Sequence, residues 1–574
     1  MIKFYSVLFL ILSLSFTKEI HAQWSSDSTM NLKISDLNGE QALPKTSLTA
    51  DGGCYISWFD NRNGSYAVYL QKLNAQGVKL FQSDGILISG NPQSSSLVDW
   101  DMITDNEDNA VLVFTDTRNG SNINPFAYKI SPSGNFLWGN NGVTLASDPN
   151  TFQPNPKVIQ ASDSNIVVTW VYSSTPNKIA FQKLSPAGAK LWGADPVYVE
   201  GGASENYTYP ALATSDNGSV IALWSGYTGS FLNPGNYRLY SRKISPAGST
   251  LWQDTVYSLG RVTGFFVPKI FTDKNNGAIY VWQDDRNSVN LQSSYVQHIN
   301  SAGQIQFPLN GSEVSTLSGS NKFDAWASYM NVTGETYLIF KMTNSLQSQF
   351  AVYGQKLSSN GSRQWSSDGI AFQPFGQNSM ERLLCFTQDT LIVFSFNESL
   401  FGSANNQIKY FNSDRNGVMG WGGYIHELTT GNSEKLKLTG VINSNSMTML
   451  AWTDRRLDGG GVYAQNVNSN GSLGNTTGIN LNYSESPEGF KLWQNFPNPF
   501  NPKTVINYEI QNTELVSLKV FDVLGNELMT IINKRQNAGA YSVDFDGSNF
   551  SSGVYFYRLE AGKFSVTKSM ILLK

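Results

Sequence analysis

The chain has 574 residues and a net charge of −4, and only 15% of its residues are charged, against about 25% in an average soluble domain. That length exceeds one ordinary core, so two or more domains are expected. A slight acidic balance with no basic block argues against nucleic acid as a partner. Aromatics at 13% and 50 glycines fit many short strands joined by tight turns.

Residues 1–22 read as a cleaved secretory signal. Lys3 supplies a positive start, Phe4 to Phe16 is an apolar run too short to span a bilayer, and Ala22 offers a small residue before Gln23. No cysteine follows the run, which argues against a lipid anchor, and no later stretch is apolar over the ~18 residues a spanning helix needs.

From residue 23 onward the chain repeats itself. "QKLNAQGVKLF" at 71 returns as "YKISPSGNFLW" at 128, "QKLSPAGAKLW" at 182 and "RKISPAGSTLW" at 242, with weaker copies at 297, 355, 411 and 465. The shared glycine falls at 77, 134, 188, 248, 303, 361, 417 and 471, at intervals of 54–60 residues. A second marker keeps step with it: an aromatic closes an apolar run at Trp58, Phe114, Trp170, Trp224, Trp282, Phe340, Phe394 and Trp452. Two markers in phase imply eight units of about 56 residues.

Within the first unit, "ALPKTSLTA", "CYISWF" and "YAVYLQKL" read as strands separated by Asp/Asn/Gly turns, and "KLF…GILIS" as a fourth. Period two puts Cys54, Ile56 and Trp58 on one face. No helical period of useful length occurs. The expected fold is all-β: a single eight-bladed propeller over residues 23–482, with seven blades and one irregular unit as the alternative. The segment "QWSSDSTMNLKIS" at 23 resembles "QWSSDGIAFQP" at 364, so the mature N-terminus reads as a displaced last strand, although the eighth unit carries its own weak version at 471–482.

Four units continue past the aromatic as W/F-x-D-x-R, giving Asp60/Arg62, Asp116/Arg118, Asp284/Arg286 and Asp454/Arg456. A carboxylate beside a guanidinium can bind sugars or anions. The competing reading is that Asp caps the turn and Arg ties it to a neighbouring blade. The aromatics themselves are expected in the blade-to-blade core. The fourth unit departs from the count, with 18 residues from Trp224 to Arg242 where the first has 13 from Trp58 to Gln71. Its extra loop carries Tyr227, Phe231, Tyr237 and Arg238, a second candidate ligand site. No catalytic grouping emerges; "SDNGSVIALW" at 215–224 does not fit the Asp-box of sialidases. Cys54 and Cys385 occupy non-equivalent repeat positions and are expected as buried free thiols. No metal site or cofactor is expected from His298 and His426 with these thiols. Asp105, Glu107 and Asp108 offer oxygens that calcium would accept, without the spaced loop pattern.

After Leu481 the repeat stops. Residues 483–491 read as a linker, and five or more short strands follow in an arrangement fitting a small Ig-like sandwich. The segment begins "LWQNFPNPFNPKTVINYEI", continues through "LKVFDVLGNEL" and "NAGAYSVDFDGSNFSSGVYFYRL", and ends "KSMILLK". On these motifs, residues 492–574 closely resemble the type A C-terminal sorting domain of the type IX secretion system of Bacteroidota. The matching residues include Phe496, Pro497, Asn498, Pro499, Phe500, Asn501 and Pro502, with Gly525 and Gly553 in the later motifs. The resemblance implies Sec export, a translocon as partner, and a secreted or surface-held product. For the repeats it names no ligand. The expectation is a non-enzymatic module that binds a glycan or a protein, the alternative a polysaccharide- or glycoconjugate-degrading enzyme with its site in the propeller funnel. The prolines of "FPNPFNP" restrict the backbone and limit strand pairing at the entry to the new domain.

Overall fold

The computed structural model describes residues 23–574 except 94–98, 121, 149, 231–232, 260–266, 288–290, 458, 476–489, 496, 511–512, 537–538 and 563. The signal segment, most of the linker, Phe231 and Phe496 therefore lie outside the described residues. The chain divides into two compact units, Met1–Asn475 and Thr476–Lys574. The described residues of both are strands and turns, with no helix.

In the first unit the strands form eight four-stranded antiparallel sheets among the described residues. Sheet 1 holds Gln41–Leu48, Cys54–Asp60, Tyr66–Leu73 and Ile86–Gln93 in that order. Sheets 2 to 7 repeat the pattern, starting at Asp101, Lys157, Glu205, Lys269, Ser320 and Asn378. Sheet 8 takes only three strands from its own repeat, beginning with Lys435–Ile442. Its outer strand is Leu32–Ser35 from the start of the chain, paired with Gly461–Val467. The first strand of each sheet touches the first strand of the next, and sheet 8 returns to sheet 1, so the sheets close a cycle in a propeller-like arrangement.

Every sheet is packed on both faces. In Cys54–Asp60 all seven residues are buried. Cys54, Ile56 and Trp58 pack with Ile34, Met449 and Val462 of sheet 8, while Tyr55 and Phe59 pack with Trp100, Leu112 and Phe114 of sheet 2. Period two thus divides one strand between two neighbours. Ala110–Asp116, Ala278–Asp284 and Thr448–Asp454 are likewise buried throughout. Cys54 and Cys385 are buried and unpaired.

The repeated phrase is a set of clamps. Its glycine sits in the left-handed region, at φ from +78° to +87° in all eight units, which suits glycine alone. A Cβ there would strike the aromatic of the preceding unit: Gly188 would place one 2.9 Å from Trp138 and Gly303 one 2.9 Å from Trp252. The same indoles donate to a carbonyl two residues before the glycine. Trp138 donates to Pro186 at 3.0 Å, Trp192 to Pro246 at 2.8 Å, Trp252 to Ser301 at 3.1 Å and Trp421 to Ser469 at 3.0 Å. Trp24 completes the cycle, donating to Ala75 at 2.9 Å beneath Gly77. The lysine of the phrase reaches across in the same direction: Lys129 pairs with Asp105 at 2.8 Å and donates to Pro186 of the next sheet, and Lys72 pairs with Asp108 at 3.0 Å. The glutamine bridges to the segment that leads into the outer strand, from Gln71 to Gln82 at 2.7 Å and from Gln465 to Ser25 at 2.5 Å.

In the second unit, Lys491–Leu492, Lys503–Ile510 and Gly539–Asp546 form one sheet. Glu527–Gln536, Glu514–Phe521, Gly553–Ala561 and Phe564–Leu572 form another. Alternation in "KTVINYEI" buries Thr504, Ile506, Tyr508 and Ile510. The sheets share one core that includes Ile506, Tyr508, Val516, Leu518, Tyr557 and Leu559.

Candidate binding site and sorting motif

Each W/F-x-D-x-R set is a knot within its own turn. Trp58 and Trp282 donate their indole N–H to Asp60 and Asp284 at 2.9 Å, and Trp452 to Asp454 at 3.0 Å. The arginine backbone N–H and Nε donate to the same carboxylate, at 3.0 and 2.9 Å for Asp60/Arg62 and for Asp284/Arg286. Arg118 meets Asp116 at 2.6 Å and Arg456 meets Asp454 at 2.5 Å. Each guanidinium then lies over an aromatic ring: Arg62 on Tyr69 at 4.1 Å, Arg118 on Phe126 at 3.8 Å, Arg286 on Tyr295 at 3.7 Å and Arg456 on Tyr463 at 3.9 Å. All four aspartates are buried. Arg62 and Arg456, on adjacent sheets, line a common cavity.

The extended fourth-unit hairpin places Tyr227 and Tyr237 inside. They stack at 6.3 Å and belong to a core shared with Tyr257 of the same sheet and Trp282 and Tyr295 of sheet 5. Arg238 is 47% exposed, 4.0 Å from Glu205. The three acidic residues singled out for calcium are occupied by lysines: Asp105 and Glu107 by Lys129, and Asp108 by Lys72.

The residues that do converge lie on the innermost strands. Two cavities of about 370 and 560 Å³ share Val267 and Arg382. The larger takes lining residues from sheets 1, 5, 6, 7 and 8 and from Asp99 at the entry to sheet 2, which places it on the axis of the cycle. One repeat position contributes to the lining from six of the eight sheets, through Leu43, Asp99, Val267, Asp324, Arg382 and Lys437. These six, with their equivalents Asn155 and Tyr209, each stand two residues before the point where the inner strand takes up regular pairing. Six of the eight have left-handed φ: Leu43 52°, Asn155 58°, Tyr209 52°, Asp324 49°, Arg382 55° and Lys437 56°. That conformation costs a non-glycine residue about 1–2 kcal/mol, and such strain and bulges gather at functional sites. In sheets 1 and 4 the next residue is Pro44 or Pro210, which has no N–H for the ladder, so the register skips. Sheets 6, 7 and 8 make the same bulge without proline. The signal was present in the sequence as "LPK", "NPK", "YPA" and "VPK" at 43, 155, 209 and 267, but it is missing from the second unit, which reads "DWD" at 99, and from the last three.

Charge around the axis is uneven. Asp99 lies between Lys45, at 2.8 Å, and Lys157. Its side chain is 46% open to the channel. Burial alone would push its carboxyl up, and the two lysines override that and hold it well below the usual range. Asp101, just behind, is pushed up by burial. Lys269 pairs with Asp324 at 2.8 Å and stands 5.2 Å over Trp326. Burial lowers Lys341 and Lys437.

In the second unit the proline-rich segment ties the start of the domain to its last strand. Phe500 N–H donates to Ile571 and Leu573 N–H to Phe500, both at 2.9 Å, and the Asn498 side chain accepts from Ile571 N–H at 2.8 Å. Buried Phe500 meets Phe545 edge-on at 5.8 Å. Asn495 donates to Pro497 at 3.1 Å and to Thr504 at 3.0 Å, and Pro502 accepts from Gly547 at 2.8 Å. The prolines thus limit pairing without abolishing it, since Phe500 forms a parallel bridge to Leu572. Pro497, Pro499 and Asn501 are exposed. Gly525 closes the Asp522 turn at φ +84° and Gly553 opens a strand. Residues 494–573 match the family described as the secretion system C-terminal sorting domain. The C-terminal unit is a type IX sorting domain. A sorting domain of this kind implies export, with secretion or surface attachment.

No curated protein matches the chain. Among solved structures, a polysaccharide lyase PL25 ulvan lyase bound to -[GlcA(1-4)Rha3S]- is 12% identical, with a TM-score of 0.43 over 78% of this chain and 97% of that one. A Penicillium chrysogenum alpha-L-arabinanase complexed with arabinobiose is 13% identical, at 0.32 over 57% and 95%. An acylaminoacyl peptidase of Pyrococcus horikoshii is 7% identical, at 0.37 over 75% and 59%. At these scores the likenesses carry no weight for activity. Among the described residues no helix is long and apolar enough to cross a membrane.

Proposed function

We propose that the chain is a secreted or surface-displayed cargo of a type IX translocon in Bacteroidota, made with a signal peptide over residues 1–22. In this reading residues 23–482 are a single eight-bladed propeller, 483–491 a linker and 492–574 an Ig-like sorting domain. The match of residues 494–573 to the sorting domain carries the address. The eight four-stranded sheets, closed by Leu32–Ser35, favour eight blades over seven. We assign the propeller a non-enzymatic role, binding a glycan or a protein at the axial channel. The charged and aromatic lining at the strained inner bulges supports that choice. The W/F-x-D-x-R sets are, on the same view, blade knots whose arginines are spent on their own turns.

One observation favours a second reading, a glycan-degrading enzyme in the funnel. Asp99 and Asp101 have their acidities moved in opposite directions, and carboxyl pairs so divided serve acid–base chemistry. Incubating the full protein with a broad glycan panel separates the two. Retention without product supports binding; product formation that disappears in Asp99→Asn and Asp101→Asn sinks it. For the address, a chain lacking residues 488–574 should stay inside the cell envelope, and its appearance in the medium would refute the sorting role.

A further inference from the structure

The eight equivalent inner-strand positions differ in what they still have to offer. Leu43 and Val267 are apolar, and Asp99 and Asp324 are held by lysines at 2.8 Å. Arg382 and Lys437 follow one another on sheets 7 and 8 and line the same 560 Å³ cavity. Among the described residues, neither side chain has an ion pair or a hydrogen bond. The other cations of that cavity are engaged: Lys45 by Asp99 at 2.8 Å, and Arg455 by Glu434 at 2.6 Å and Glu40 at 3.4 Å.

Two cations in one cavity, neither ion-paired among the described residues, repel each other, and the effect registers on Lys437. Burial first, and then the Arg382 charge, lower its ammonium below the ordinary lysine value, with Lys45 adding in the same direction and Asp99 opposing. Both residues also hold left-handed backbone, at 55° and 56°. The arrangement therefore carries electrostatic and conformational cost in the free protein, and an anion between the two side chains would remove the electrostatic part. The same cavity also presents apolar side chains, among them Trp326, Leu436 and Leu438. A guanidinium takes a carboxylate or sulfate in bidentate fashion, and an indole face suits a sugar ring.

We propose that Arg382 and Lys437 seat the anionic group of an acidic saccharide, a carboxylate or a sulfate, with its sugar ring against Trp326. The proposal rests on the binding reading above and names the ligand class. A single anionic sugar unit fits the volume, and a longer chain would continue along the axis toward Lys341, which lines the adjoining cavity.

The test uses the full chain with four probes: polygalacturonate, dextran sulfate, neutral dextran and poly-glutamate. The expected result is binding of polygalacturonate, dextran sulfate or both at least 10-fold tighter than dextran or poly-glutamate, weakening as salt rises from about 50 to 500 mM. The two acidic polymers distinguish carboxylate from sulfate. Arg382→Gly combined with Lys437→Gly should lower that affinity at least 10-fold while leaving the melting temperature unchanged or higher, because glycine is at ease where these residues are strained. That thermal readout separates loss of the seat from loss of the fold. Unchanged binding in the double variant overturns the proposal. Dextran bound as tightly as the acidic polymers overturns it while leaving the binding reading intact. Poly-glutamate bound as tightly as the saccharides overturns the ligand class. No retention of any probe overturns the proposal together with the glycan half of that reading.

Discussion

The two units spend their unusual residues in opposite ways. In the repeat unit the residues that recur most faithfully hold sheet to sheet. The tryptophan lies on the next unit's glycine, the lysine reaches the next unit's turn, and the aspartate knots its own arginine. In the sorting unit the residues of "FPNPFNP" occur once and join the two ends of a single small domain, through Phe500, Asn498 and the last strand. Recurrence in the first unit marks structure, because each of eight neighbours must be held in the same way. In the second, a singular motif both closes the fold and marks the family. Function in the repeat unit is therefore better sought where repeats diverge in chemistry while keeping geometry, as at the inner bulges.

The comparison can be broken, and the largest effect should come from the sheet-to-sheet core. Trp452→Ala removes a fully buried indole and a donor to Asp454, and should cost about 3–5 kcal/mol in denaturant unfolding. A loss below 1 kcal/mol would mean that the sheets are not held by these aromatics. Gly188→Ala comes next. It asks for φ +87° and places a Cβ 2.9 Å from Trp138, so a loss of about 2–3 kcal/mol is expected from the left-handed cost and the displaced ring. In the sorting unit Asn495→Ala deletes the donor to Pro497 and Thr504, with an expected loss of about 1–2 kcal/mol. Hydrogen exchange should rise within residues 494–573, and an equal rise in the repeat unit would contradict the division into two units.

A smaller, pH-dependent effect sharpens the clamp reading. Burial pushes the Glu335 carboxyl up, but hydrogen bonds from Arg415 of sheet 7, Tyr337 and Thr333 outweigh it and bring it down from 4.5 to about 2. A carboxyl depressed by folding contributes stability above its unfolded value, and that contribution is lost as pH falls. The melting temperature of the unaltered protein should exceed that of Glu335→Gln near neutral pH, with the gap closing between pH 4.5 and about 2. A gap constant over that window would remove Glu335 from the clamps. The smallest effect is expected at Arg238→Ala. This side chain is 47% exposed, so stability should move by no more than about 0.5 kcal/mol; a larger loss would make the fourth hairpin part of the framework.

Much of the fold was legible in the primary structure because repetition multiplies a weak strand signal eightfold. The glycine and aromatic markers kept phase through every unit, and "QWSSD" at 23 matched 364 closely enough to suggest a displaced strand, with 471–482 as its competitor. The candidate site was less legible. Asp60 and its counterparts stood out because they recur, and recurrence here reports knots. Tyr227 and Tyr237 stood out because the count changed, yet they stack inside the core. Lys437 and Arg382 share no residue type with Leu43 or Val267, so nothing in composition or spacing singles them out. Only the bulges in the inner strands of sheets 7 and 8 bring them to one cavity.

By itself the sequence determined the all-β class, the number of units, the turn glycines and the C-terminal address. These depend on local rules: alternation, left-handed turns and a contiguous motif. The tertiary structure decided which strand closes sheet 8, that each strand is divided between two neighbouring cores, and which side chains meet on the axis. Those depend on residues from distant units arriving at one place. A repeat specifies the geometry of that arrival, whereas the unpaired charge at Arg382 and Lys437 becomes apparent only once every other cation of the cavity has been assigned a partner.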